Sequence, residues 1–121
     1  MVQLIKSIRP FIGALNFAIS RSFYTDFGFQ ESMLSPTLSV FKAGEFSFYL
    51  QDAYVAEWVD NTMVFLEVAD VDRYWARLQA LSLPATYPGV KLVPIKSHNW
   101  GKECFVHDPS GVLWHIGEFA K

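Results

Sequence analysis

Cysteine is nearly absent: Cys104 is the single one in 121 residues, which excludes an intramolecular disulfide framework and a multi-cysteine zinc site. A lone cysteine has a simpler reading as a small apolar side chain. Charge is also scarce, at 18% of residues against about 25% in typical soluble domains. The balance, 10 Lys and Arg against 12 Asp and Glu, gives −2 and lacks the basic footprint that nucleic-acid binding requires. No apolar run approaches the ~20 residues that span a bilayer. Lys6 and Arg9 near the start precede neither an apolar core segment nor a small-residue cleavage site, so no secretory leader is expected. These absences predict a cytoplasmic protein with no membrane or nucleic-acid partner.

Aromatic residues are abundant instead, with 11 Phe, 5 Tyr and 4 Trp in a chain that is 51% apolar. One domain of this length buries enough surface for a core without staples. The excess of rings predicts that some line a cavity or a subunit contact.

Along the chain the hydrophobic period changes several times. Residues 4–12 read as a strand, and Pro10 within it removes a ladder donor, so it must lie at an edge. Asn16 can cap a helix whose Phe17, Ile19, Phe23 and Phe27 recur at helical spacing up to Gly28. Residues 37–42 and 46–51 form a hairpin through Ala43-Gly44-Glu45. Residues 52–61 are irregular, and 63–68 read as a strand apolar on both faces. Asp70 can cap a second helix to Leu81, with Val71, Tyr74, Trp75, Leu78 and Leu81 on its apolar face. Strands follow at 90–95, 103–107 and 112–118, the last two joined by the turn Asp108-Pro109-Ser110-Gly111. The order is βαβββ twice: an α+β fold within one domain over 1–121, module one over about 1–56 and module two over about 62–121. Serine-nucleophile motifs, a glycine-rich phosphate loop and paired catalytic carboxylates are not found in the sequence.

Three segments carry a family resemblance that spans nearly the whole chain. Ser22-Phe23-Tyr24-Thr25-Asp26-Phe27-Gly28-Phe29, Val68-Ala69-Asp70-Val71-Asp72 and Asp108-Pro109-Ser110-Gly111-Val112-Leu113-Trp114 resemble the vicinal oxygen chelate superfamily of glyoxalases, extradiol dioxygenases and bleomycin resistance proteins. Trp100-Gly101 ahead of the last of these, and Pro10 in the first strand, are similar to the bleomycin resistance branch. The resemblance implies curved mixed sheets, a homodimer, and a ligand crevice on the concave side. In such a dimer Pro10 is a candidate for the point where the first strand leaves its own subunit to pair across the interface.

In metal-dependent members four strand positions hold a divalent cation, and the resemblance places them at Arg9, Tyr49, Met63 and His115. Arg9 is a permanent cation and Met63 a soft donor, so the set is poor for a hard metal. No metal and no cofactor are therefore expected. Strand alternation puts Ser7, Arg9 and Phe11 on the concave face with Ser47, Tyr49 and Gln51, with Met63, Phe65 and Glu67, and with Leu113, His115 and Gly117.

Each candidate has two readings. Arg9 and Glu67 pair across the crevice or face water at its mouth. His115 orients ligand, or is a hydrogen-bonded structural residue, while His98 and His107 read as solvated. Trp58 and Trp100 stack on a ligand or pack as a lid; Trp75 and Trp114 read as core. Asp52, Glu57, Asp60, Glu67 and Glu103 attract a cationic ligand or are ordinary surface charge. The expected function is a metal-free small-molecule binding protein of the bleomycin resistance type, with ligand-binding residues Arg9, Phe11, Tyr49, Met63, Phe65, Glu67, Trp100 and His115. The rival expectation is a metal-dependent lyase, isomerase or dioxygenase of the same superfamily.

Overall fold

In the computed structural model, which describes residues 2–121, two four-stranded mixed sheets enclose a helical layer. The first is built from β1 (Phe11–Gly13), β2 (Gln30–Ser35), β3 (Leu38–Ala43) and β4 (Phe46–Gln51), in spatial order β1-β4-β3-β2. The second is built from β5 (Met63–Glu67), β6 (Lys91–His98), β7 (Gly101–His107) and β8 (Leu113–Phe119), in order β5-β8-β7-β6. Each first strand runs parallel to the last strand of its module, Phe11 beside Tyr49 and Phe65 beside His115, while the other pairs are antiparallel. The parallel pairing needs a crossover, and α1 (Phe17–Phe27) and α3 (Val71–Leu81) supply it.

Both crossover helices start at the expected caps. The Asn16 side chain accepts from the Ile19 amide and that of Asp70 from the Arg73 amide. Glu118 of β8 accepts from the Val71 amide and so closes the same helix start from the sheet.

The structure corrects several boundaries. The first strand spans only Phe11–Gly13, and Val2–Leu4 forms one 3-10 turn. Pro10 contributes its carbonyl to the Tyr49 amide at 2.8 Å, and regular pairing begins after it. β2 has no counterpart in the sequence reading, and the supposedly irregular 52–61 segment holds the short helix α2 (Ala56–Asp60). A further turn of helix, α4 (Leu83–Thr86), follows α3. No helix among the described residues is long and apolar enough to cross a membrane.

A single core joins both sheets and the helices. Ile12, Phe41, Phe48 and Leu50 of the first sheet meet Cys104, Val106, Trp114 and Ile116 of the second through Phe23, Tyr24, Phe27, Val71 and Leu78. Cys104 is fully buried, and burial pushes its thiol up to about 11. It is the small apolar residue expected, and its thiol is not an activated nucleophile.

Candidate functional site

Because side chains alternate on a strand, filling one face of each sheet with core leaves the other face open. On the first sheet the open face carries Arg9, Phe11 and Tyr49. The Phe11 and Tyr49 rings stack with centroids 4.7 Å apart. The Arg9 guanidinium donates to the Tyr49 hydroxyl at 3.3 Å and lies 5.8 Å from its ring centroid. Phe11 remains 56% exposed.

The open face of the second sheet is richer. Phe65, Trp100 and Phe119 form a three-ring cluster with centroid separations of 6.0, 5.6 and 5.4 Å. All three rings stay partly open to solvent. Gly117 makes the cluster possible: a Cβ there would lie 2.5 Å from the Phe65 ring and 3.4 Å from that of Trp100.

Beside these rings, Glu103 is buried to 7% exposure and bound by two histidines. His115 Nδ1 lies 2.9 Å from its Oε1, and His98 Nε2 lies 2.8 Å from its Oε2. His115 packs parallel to Phe65 and edge-on to Phe105, and His98 stacks on Trp100 at 5.1 Å. The far nitrogen of His115, Nε2, faces Met63 Sδ at 3.3 Å.

The structure therefore sorts the eight expected site residues into groups. Arg9, Phe11 and Tyr49 lie together on one sheet. Met63, Phe65, Trp100 and His115 lie together on the other. Glu67 shares the β5 face with Met63 and Phe65, four and two residues away along the strand. Among the described residues no hydrogen bond or ring contact joins the two groups, and Arg9 reaches Tyr49 rather than Glu67. Two expectations are corrected. His98 is not simply solvated, and Glu103 is not ordinary surface charge, because each binds the other. Trp58 stands 71% exposed on α2. Trp114 is core, at 2% exposure.

A cleft of about 530 Å³ runs between the modules. Pro10, Phe46 and Ser47 line one wall, and Phe65, Glu67, Val68 and Ala69 line the other. Apolar walls with few polar groups suit a small organic ligand. The segment leading to Pro10 leaves Leu4, Ile5 and Ile8 exposed at 79, 54 and 86%, more apolar surface than a free tail keeps in water.

The four positions implied for a divalent cation do not suit one. Arg9 places a guanidinium there, Tyr49 is engaged by it, and Met63 offers a soft thioether. Only His115 is a strong donor. Among the described residues, His, Cys, Asp and Glu ligand atoms converge within 4.8 Å only at Asp70, Asp72 and Glu118. There Asp70 and Glu118 cap α3, and Asp72 holds Lys102.

No family model matches the chain, and no curated protein matches it. Solved structures do. A bleomycin resistance determinant encoded on the transposon Tn5 superposes with a TM-score of 0.80 at 12% identity, over 97% of this chain and 100% of that one. The bleomycin-binding protein of Streptomyces verticillus, in complex with copper(II)-bleomycin, gives 0.77 at 21% identity over 96% and 99%. Lactoylglutathione lyase from Agrobacterium tumefaciens gives 0.70 at 18% identity over 94% of each chain. With its two βαβββ modules and these neighbours, the chain has the fold of the vicinal oxygen chelate superfamily.

Proposed function

We propose that the protein is a metal-free binder of an aromatic or cationic small molecule, acting by sequestration, a reading supported by its fold likeness to proteins named as bleomycin-binding. The observation that carries this reading is the Phe65, Trp100 and Phe119 cluster, three large rings left open beside a hydrogen-bonded polar group. A soluble domain gains nothing in stability from leaving such rings exposed, and a planar ligand gains stacking surface from them. Arg9 and Tyr49 would orient polar groups of the ligand, and Glu67 would attract a cationic part.

A second copy of the chain would complete the crevice. Arg9, Phe11 and Tyr49 sit on one sheet and His115, Phe65 and Trp100 on another, and a twofold pairing would set the first face of one copy against the second face of its partner. The apolar segment before Pro10 would cross to the partner and cover its exposed Leu4, Ile5 and Ile8. Light scattering is expected to give twice the chain mass at micromolar concentration. A monodisperse monomer would overturn the pairing.

The function is tested by titrating metal-free bleomycin into protein that has first been incubated with Mg, Mn, Fe, Ni and Zn and then exchanged and analysed for metal. Empty protein whose tryptophan fluorescence changes saturably is the expected result. Trp100→Ala is expected to weaken binding about tenfold, or roughly 1.4 kcal/mol. Undiminished affinity would remove Trp100 from the site.

One observation favours a second reading, an enzyme of the same fold. Glu103 behind His115 is the arrangement that orients a histidine for proton transfer or ligation. Near-stoichiometric metal that disappears in His115→Ala would select that reading.

A further inference from the structure

We propose that Glu103 is a positioning residue that locks His98 and His115 as a pair of hydrogen-bond acceptors. The open face of the second sheet then selects planar cationic donors of the amidinium or guanidinium class and rejects carboxylates. The inference deepens the small-molecule reading and rests on it.

A carboxylate oxygen accepts hydrogen bonds and cannot donate them. Glu103 Oε1 is hydrogen-bonded to His115 Nδ1 at 2.9 Å, and its Oε2 lies in ion-pair contact with His98 Nε2 at 2.8 Å, separations at which two facing lone pairs would repel. Each of those nitrogens must therefore carry its proton. In the neutral rings the lone pairs fall on the opposite atoms, Nε2 of His115 and Nδ1 of His98. Burial of Glu103 fixes the arrangement, since a carboxylate at 7% exposure has few other partners to turn to.

The rings cannot easily turn over. His98 is stacked on Trp100 at 15° between planes, and His115 lies between Phe65 and Phe105. The atom now facing His115 Nε2 is the sulfur of Met63, a weak partner on a flexible chain that a better donor can displace.

Glu103 brings a carboxylate to this group. The charged and titratable groups that share the face are Glu67 on β5, Lys91 and Lys96 on β6 and His107 on β7. Register places Glu67 beside Gly117, which in turn sits beside Glu103, with Lys96 across from Glu103 on its other side. Glu67 adds to the attraction for a cation, and Lys96 is the one cationic residue on that cross-strand row. A flat cation that displaces the Met63 sulfur would stack on Phe65 and Trp100 while its N–H groups point to Nε2 of His115 and Nδ1 of His98.

Two measurements test this. The first is long-range 15N–1H correlation of the histidine rings in the unmodified protein, which reads the tautomers without any ligand or variant. His115 protonated on Nδ1 and His98 protonated on Nε2 is the expected result. The opposite tautomer at either ring overturns the proposal, as does a doubly protonated ring at about pH 8. The second compares benzamidine with benzoate, the same ring bearing an amidinium or a carboxylate, each followed by the shifts of these ring signals.

Benzamidine is expected to bind at least tenfold more tightly. Glu103→Gln offers one donor and one acceptor in place of two acceptors, so it should mix the tautomers and remove the discrimination. Benzoate binding as well as benzamidine, or neither ligand shifting the rings at millimolar concentration, overturns the proposal. If bleomycin fails to bind while the tautomers stand as expected, the small-molecule reading falls instead. If bleomycin binds while benzoate is preferred, only this inference falls.

Discussion

Asp108→Ala is expected to cost about 3 to 5 kcal/mol of stability and roughly 12 °C or more in Tm. The carboxylate is 1% exposed. Its Oδ1 accepts the amides of Ser110, Gly111 and Val112 at 2.8 to 2.9 Å, and its Oδ2 accepts the Tyr24 hydroxyl at 2.6 Å. Tyr24 in turn accepts from the Trp114 indole at 3.0 Å. Alanine would strand three donors at once, the Ser110 and Val112 amides and the Tyr24 hydroxyl, while the Gly111 amide keeps the residue-108 backbone carbonyl at 3.2 Å. Thermal unfolding by circular dichroism checks the loss. A change below about 1 kcal/mol would mean that the turn re-forms without its anchor.

The pH dependence of this site has a definite sign. Burial pushes the Asp108 carboxyl above its ordinary range, against the pull of the bonds it accepts. A carboxyl whose value is raised on folding favours the folded state most fully below its unfolded value. That contribution is lost as pH rises through the folded value. Acid sensitivity must arise elsewhere, and Glu31 is a source. Hydrogen bonding to Arg21 holds its carboxyl below the usual range, so its contribution is present at neutral pH and is lost as pH falls.

Gly101→Ala is the second large effect, expected at about 2 to 4 kcal/mol. The residue sits at a φ of +153°, where a side chain is strained. A Cβ built there would lie 2.0 Å from the Glu118 carbonyl oxygen and 2.9 Å from the Phe119 Cα. Both obstacles are backbone and cannot swing aside, so β7 and β8 must part where they begin to pair. The Trp100 carbonyl accepts the Ala120 amide at this same point. The substitution is therefore expected to shift Trp100 and Phe119 as well, and to weaken ligand binding together with stability. A variant of native Tm and native bleomycin affinity would contradict the geometry.

How much of this was legible in the sequence depended on whether the signal was local. Asn16 and Asp70 cap the helices they were expected to cap, because a capping bond spans three residues. The hairpin of β3 and β4 was legible for the same reason. β2 was not: Gln30–Ser35 is almost wholly exposed and carries no alternating apolar pattern to betray a strand. Its pairing with β3 is what makes it one.

The site divides along the same line. Phe65, His115 and Trp100 could be named from alternation and a motif. Glu103 was legible only as one of five acidic residues that attract a cation or face solvent, because its two partners come from β6 and β8 and meet it only through sheet register. The usable signal lay in β7 itself, where Glu103 and Phe105 alternate with Cys104 and Val106. A carboxylate in mid-strand, two residues from a phenylalanine on the same face, has to be held by something.

The hydrogen-bonded chain from Asp108 through Tyr24 to Trp114 joins a turn of the second module to a helix of the first. Neither module has a private interior. If β8 peels away, Tyr24 loses its indole donor and Phe27, Phe29 and Phe48 lose a ring they pack against. The repeat that is so plain in the order of elements is thus invisible to thermodynamics. The two halves are expected to melt as one cooperative unit, and a fragment ending between them would carry half of a core with nothing to close it.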